Sequence, residues 1–95
     1  MNADIQLQPL ISAFIAHLSN ERQLSPHTLD GYQRDLTALK KALVGQGITD
    51  WREVRAHHLL TYIGAGKRQG RSGKTLQRRL SASRTFFNYL AREGI

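Results

Sequence analysis

Apolar side chains recur along the chain at steps of three and four residues, in four separate segments. Such steps place side chains along one side of an α-helix, because the helix turns once about every 3.6 residues. No segment shows the sustained alternation of apolar and polar residues that is typical of a strand. The pattern therefore predicts an all-α fold with helices over residues 4–21, 26–43, 56–68 and 74–93.

Capping residues support these boundaries. Ser25 precedes Pro26, and this pair is typical of a helix start, because serine accepts a hydrogen bond from a free backbone N–H and proline has no N–H to satisfy. Glycines follow the second and third segments, where they can adopt the left-handed conformation that ends a helix. Residues 49–54 predict a short turn capped by Thr49 or Asp50, in which Glu53 can complete a capping box and Trp51 points into the core.

Four amphipathic helices with short links predict a compact four-helix bundle. A chain of 95 residues is long enough for one such core. In the fourth segment we expect the buried stripe to consist of Leu76, Leu80, Phe87 and Leu90, with Phe86 at its edge.

Charge is distributed very unevenly over this bundle. The chain has 14 basic and 7 acidic residues, for a net charge of +7. Residues 1–50 carry four basic and five acidic side chains, whereas residues 51–95 carry ten basic and two acidic ones. A positive charge concentrated in one half indicates a surface for phosphate groups more than a general aid to solubility.

The fourth segment contains the strongest candidate site. Lys74, Arg78, Ser81 and Thr85 follow each other at steps of four, three and four residues, so they form one ridge along the helix. Cationic and hydroxyl side chains suit phosphate oxygens and base edges in a DNA major groove, which is wide enough to admit a helix. An ordinary solvent-exposed face is the alternative, but such faces usually mix both signs, and no acid occurs here before Glu93.

The start of the second segment is another candidate. His27 and Thr28 lie where the helix dipole and the free N–H groups favour an anion, and Arg34 lies farther along the outer face. Capping by Ser25 alone would also explain this pattern, so a DNA contact here stays open.

No pattern indicates catalysis or a bound cofactor. The four histidines and seven acids are dispersed, cysteine is absent, and neither HExxH nor a glycine-rich phosphate loop occurs. We therefore expect no cofactor, no metal and no small-molecule ligand. We also expect no membrane association, because no apolar run approaches the roughly 18 residues of a membrane span.

Two motifs resemble those of Xer-type tyrosine recombinases. Leu24–Leu29, followed by Tyr32 and Asp35–Leu36, resembles the LSxxTLxxYxxDL sequence that opens the family's N-terminal domain. Gly70–Leu90 resembles the GxSxxSxxRxLSALRxFFxYL helix that closes it. The first motif is more similar to the XerC branch than to the XerD branch. Where the family usually has leucine or isoleucine, this chain has Ser83, which we expect to face the core. Either the core is packed more loosely there, or Ser83 bonds a carbonyl of its own helix.

The resemblance implies a SAM-like core-binding domain of the lambda-integrase type. In that family the domain is one jaw of a clamp around duplex DNA, with its second and fourth helices across the major groove. The resemblance further implies that catalysis resides in a C-terminal domain absent from this chain, so we expect the chain to bind DNA without cutting it. The parent protein would act in the bacterial cytoplasm, at the nucleoid, in a recombinase tetramer that resolves chromosome dimers.

Helix periodicity and the resemblance together give one set of expected DNA-binding residues. These are His27, Thr28, Arg34, Lys74, Gln77, Arg78, Arg79, Ser81, Arg84 and Thr85.

Three alternatives remain open. The first is a bundle that binds an acidic protein partner instead of DNA. The second is a small enzyme, and the third is the equivalent domain of an integron or phage integrase. Weak affinity for duplex DNA would indicate the acidic protein partner. Cleavage of supercoiled DNA would indicate the enzyme, and the preferred DNA site would distinguish the Xer family from integron and phage integrases.

Overall fold

A computed structural model describes residues 3–95, with side chains from residue 6 onward. Over this range the backbone forms four α-helices and no strand, as predicted. Each helix boundary lies within two residues of its expected position. The helices are α1 (Ala3–Glu21), α2 (Pro26–Gly45), α3 (Ala56–Arg68) and α4 (Gly73–Arg92).

The two helices that carry the candidate site begin in the same way. Ser25 Oγ accepts a hydrogen bond from the Thr28 N–H at 3.2 Å, and Ser72 Oγ accepts one from the Thr75 N–H at 3.1 Å. Each serine thereby satisfies one of the N–H groups that the first helical turn leaves free. At the other end of α2, Gly47 has φ +84, the left-handed backbone that glycine adopts without strain.

A 3₁₀ turn at Trp51–Glu53 connects α2 to α3 and contains the predicted capping box. Asp50 Oδ1 accepts from the Arg52 N–H at 2.9 Å, and Glu53 Oε1 accepts from the Asp50 N–H at 3.0 Å. Trp51 is buried, and its indole Nε1 donates to the carbonyl oxygen of Leu7 at 2.9 Å. The turn is therefore anchored to α1.

The core lies between α1, α2 and α4. Helix α1 buries Leu7, Ile11, Phe14 and Leu18 completely or almost completely, and Phe14 packs edge-on against Phe86 with ring centroids 5.4 Å apart. Helices α1 and α4 both pack chiefly on α2, while α3 contacts both α2 and α4. This order leaves the outer surfaces of α2 and α4 side by side.

The buried face of α4 is rotated from the expected one. Leu80 is 37% exposed, whereas Phe86, expected at the edge of the stripe, is fully buried. The difference arises because the small residues Ala82 and Ser83 complete the buried face, and large apolar side chains alone do not mark it. Ser83 is buried as expected, and its Oγ donates to the Arg79 carbonyl oxygen at 2.9 Å.

Candidate nucleic-acid interface

An open groove of about 360 Å³ runs between the outer surfaces of α2 and α4. Helix α2 lines it with His27, Thr28 and Arg34, and α4 lines it with Arg78 and Ser81. The packing of α2 on α4 therefore brings the two candidate sites of the sequence into one surface, which we call the α2–α4 groove.

Arg78 is fixed in this groove by an ion pair with Asp35 of α2. Its Nε donates to Asp35 Oδ2 at 3.0 Å, and its Nη2 donates to Oδ1 at 2.8 Å. The Asp35 side chain is only 4% exposed, whereas that of Arg78 is 56% exposed. Hydrogen bonding to this carboxylate raises the pKa of Arg78 above its ordinary value, so the guanidinium remains charged.

A second cleft, of about 670 Å³, shares Arg34 with the groove. Besides Arg34 it is lined by Lys41 of α2, Arg71 of the α3–α4 turn and Arg79 of α4, against one acidic residue, Asp30. We call this surface the basic cleft. Lys41 and Arg71 are absent from the expected set, because neither lies on the ridge of α4 or at the start of α2.

Arg79 enters the basic cleft from a half-buried position. Its Nε and the Tyr62 hydroxyl oxygen are both buried, and neither has a hydrogen-bond partner among the described residues. Burial raises the pKa of Tyr62, and the neighbouring charge of Arg79 partly offsets that rise. Tyr62 is therefore neutral at physiological pH, and it leaves the charge of Arg79 unneutralised.

The other predicted residues occupy different positions on α4. Lys74 and Gln77 are exposed but do not line the groove. Thr85 is half-buried, and its hydroxyl donates to the Ser81 carbonyl oxygen at 3.1 Å. Arg84 lies apart from the groove, in a largely apolar cleft that Leu80 and Phe87 also line.

The described residues offer no grouping suited to a metal ion, since no three His, Asp or Glu side chains among them lie close together. Likewise, none of the helices in residues 3–95 is both long and apolar enough to cross a membrane. Within this part of the chain, the groove and the basic cleft are the surfaces that bring predicted site residues together.

Comparison with known proteins gives the class of this four-helix domain. Residues 11–94 match the family "Phage integrase, N-terminal SAM-like domain", and the chain belongs to that family. The match covers all of α2, α3 and α4, and therefore the groove and the basic cleft.

The similar curated proteins are more specific. The chain is 47% identical over 85 residues to "Tyrosine recombinase XerC" of Alcanivorax borkumensis, a match that covers 90% of this chain and 27% of the relative. It is 44% identical over 88 residues to the protein of that name from Azotobacter vinelandii, covering 93% and 29%. It is 43% identical over 84 residues to that of Pseudomonas aeruginosa PAO1, covering 88% and 28%.

These relatives confirm the resemblance to Xer-type recombinases and its XerC-like character. The chain spans less than a third of the length of each of these relatives. No solved structure matches the chain significantly.

Proposed function

We propose that this chain binds duplex DNA in a sequence-dependent manner, as the N-terminal clamp domain of a Xer-type tyrosine recombinase. One observation carries the proposal: the packing of α2 on α4 joins the groove and the basic cleft into a continuous cationic surface through their shared Arg34. One of the two acids on this surface, Asp35, is paired with Arg78.

The two parts of this surface suit different parts of DNA. The groove presents Arg78 and the hydroxyl groups of Thr28 and Ser81, which can donate to and accept from base edges. The basic cleft presents four cations and no hydroxyl other than Thr37, a composition suited to phosphate oxygens. We therefore assign base contacts to the groove and backbone contacts to the basic cleft.

Further residues predicted to contact DNA line neither the groove nor the basic cleft, so their contacts are proposed only from where they lie on α4. Lys74 and Gln77 are exposed on α4, so they can reach the sugar–phosphate backbone beside the groove. Arg84 would need DNA to pass over the apolar cleft, so a contact from Arg84 is a prediction that depends on the path of the duplex.

In this proposal the chain supplies DNA binding, and strand breakage and rejoining belong to the remainder of a recombinase. The names of the relatives state a recombinase activity, and more than two thirds of each relative lies outside the match. Partner protomers in a tetramer and a bacterial cytoplasmic, nucleoid-bound location are part of the same proposal. Incubation with supercoiled DNA should accordingly give neither cleavage nor a covalent adduct.

The test is fluorescence anisotropy with two labelled duplexes, one carrying a Xer core site and one scrambled, titrated over a range of NaCl concentrations. We expect tighter binding to the core site and a steep salt dependence. Replacing Lys41 and Arg71 together by alanine should reduce the slope of log K against log [salt] by about 2, because each phosphate contact contributes about 0.9.

The matched control is the pair Arg22→Ala and Arg92→Ala, which removes the same charge at exposed positions outside the groove and the basic cleft. It should change the slope much less. Equal losses in both double variants would show that net charge, and not this surface, governs binding. No binding at low salt would contradict the proposal and favour an acidic protein partner.

A further inference from the structure

We propose that Asp35 is a positioning residue that directs Arg78 towards one guanine in the major groove, and that this pair sets part of the DNA sequence preference. The inference rests on the proposed DNA binding, and it adds a specific base contact and a residue, Asp35, that the expected set does not contain.

Asp35 uses only some of the hydrogen-bond donors of Arg78. A guanidinium carries five N–H groups in one plane. Asp35 accepts from Nε and from one N–H of Nη2, at 3.0 and 2.8 Å. Both N–H groups of Nη1 and the second N–H of Nη2 remain, and the described part of the chain supplies no acceptor for them. The edge formed by Nη1 and Nη2 therefore presents two parallel donors away from Asp35.

Two parallel donors match the two acceptors that guanine alone presents in the major groove, N7 and O6. A phosphate can also accept this pair of donors, so the choice between base and phosphate depends on charge. The buried Asp35 carboxylate cancels most of the net charge of Arg78, which weakens attraction to phosphate but leaves the directional donors intact. The arrangement therefore favours base recognition.

The fixed position of the Arg78 guanidinium also favours a base contact over a phosphate contact. A free arginine loses rotamer freedom when it binds one base, whereas the bidentate pair with Asp35 has already fixed the guanidinium in the unbound protein. Asp35 belongs to α2 and Arg78 to α4, so the direction of the donors is set by the packing of the two helices.

Two variants separate this role from a general electrostatic one. Arg78→Lys keeps the charge and removes the planar pair of donors. Asp35→Asn keeps the shape of the side chain, releases Arg78 and raises the net charge by one. We expect Asp35→Asn to lower discrimination between sequences while binding unrelated duplexes as tightly as the wild type, or more tightly. Arg92→Lys is the control on the same helix.

The experiment first selects the preferred duplex from a randomised pool with the wild-type chain. Each guanine of that duplex is then replaced singly by 7-deazaguanine, which lacks the N7 acceptor, and binding is measured by anisotropy. At one guanine the wild type and Arg92→Lys should lose roughly 10- to 100-fold in affinity. At the same guanine Arg78→Lys should lose less than about threefold, and Asp35→Asn should fall between them.

Thermal unfolding establishes that the variants are folded, and Arg78→Lys decides the question alone if Asp35→Asn does not fold. A uniform loss for Arg78→Lys on all duplexes, with no guanine at which it differs from wild type, would overturn the inference and leave Arg78 as a phosphate contact, with DNA binding intact. Absence of duplex binding by the wild type would overturn both proposals.

Discussion

The Asp35–Arg78 and Asp50–Arg52 ion pairs have the same closest N···O distance, 2.8 Å, but they join very different parts of the molecule. Asp50 and Arg52 lie two residues apart at the 3₁₀ turn, with side chains 42% and 73% exposed. Asp35 and Arg78 lie 43 residues apart on α2 and α4, and the Asp35 carboxylate is buried.

The difference shows that distance alone does not measure what an ion pair contributes. Water and salt compete with the exposed pair, and such pairs typically add little to stability. The Asp35 carboxylate has no comparable access to water, so it depends on Arg78 for its solvation. We infer that the first pair orders a turn and the second fixes the relative position of the two helices that form the groove.

The largest effect is expected from Arg78→Met. This change leaves the Asp35 carboxylate buried and unpaired, and it should lower the free energy of unfolding by about 2–3 kcal/mol, as measured by urea denaturation followed by circular dichroism.

Two further variants sharpen this measurement. The double variant Asp35→Leu with Arg78→Met should recover most of the loss, because no buried charge remains. Arg52→Met should leave the urea midpoint close to that of the wild type. If Arg78→Met lowers the free energy of unfolding no more than Arg52→Met does, the proposed difference between the two ion pairs is wrong.

The same contrast explains how far the sequence could predict the fold. The serine cap of α2 and the capping box completed by Glu53 depend on residues within four positions of each other, so both could be predicted directly from the sequence. The large side chains on the buried face of α4 were predicted incorrectly, with Leu80 expected inside and Phe86 at the edge, because the rotation of the helix depends on what packs over small residues such as Ala82. Small side chains carry no apolar signal of their own.

In the candidate site, too, local features could be predicted from the sequence and features that depend on helix packing could not. The ridge of α4 and the start of α2 could be identified from helix periodicity and capping, and five of the residues so predicted do line one groove. The pairing of Asp35 with Arg78 depends on the relative position of two helices, which periodicity does not define. The basic cleft depends on that packing too, since Lys41 and Arg71 come from elements far apart in sequence. Arg84 was predicted to contact DNA, but it lies in an apolar cleft that could not be predicted from its position along α4.

A smaller effect is expected from Asp50→Asn under acid conditions. Asparagine still caps the turn, so the variant removes chiefly the charge. Hydrogen bonds from Arg52 hold the pKa of Asp50 at about 2, below its ordinary value of 3.8. A lowered folded-state pKa means that the carboxylate stabilises the fold above its unfolded pKa and loses this contribution as the pH falls through the folded value.

The melting temperature of the wild type should therefore exceed that of Asp50→Asn by a constant margin from pH 7 to about 5. The margin should narrow below about pH 4 and be mostly lost near pH 2. Thermal melts of both proteins across this range test the prediction. A margin that persists unchanged at pH 2 would show that the charge of Asp50 is not its source.

The smallest effect is expected from salt, and it tests the contrast between the two pairs most directly. At 1 M NaCl the Debye length falls to about 3 Å, so interactions between exposed charges are largely screened. Whatever destabilisation Arg52→Met shows at low salt should therefore disappear at 1 M, because both members of the Asp50–Arg52 pair are exposed. The destabilisation by Arg78→Met should largely persist, because salt does not reach the buried Asp35 carboxylate and cannot replace its two hydrogen bonds. Urea titrations of the wild type and both variants at the two salt concentrations give the comparison. If both losses decline in parallel, Asp35 is solvated in the folded protein, and the pair joining α2 to α4 is as weak as the one at the turn.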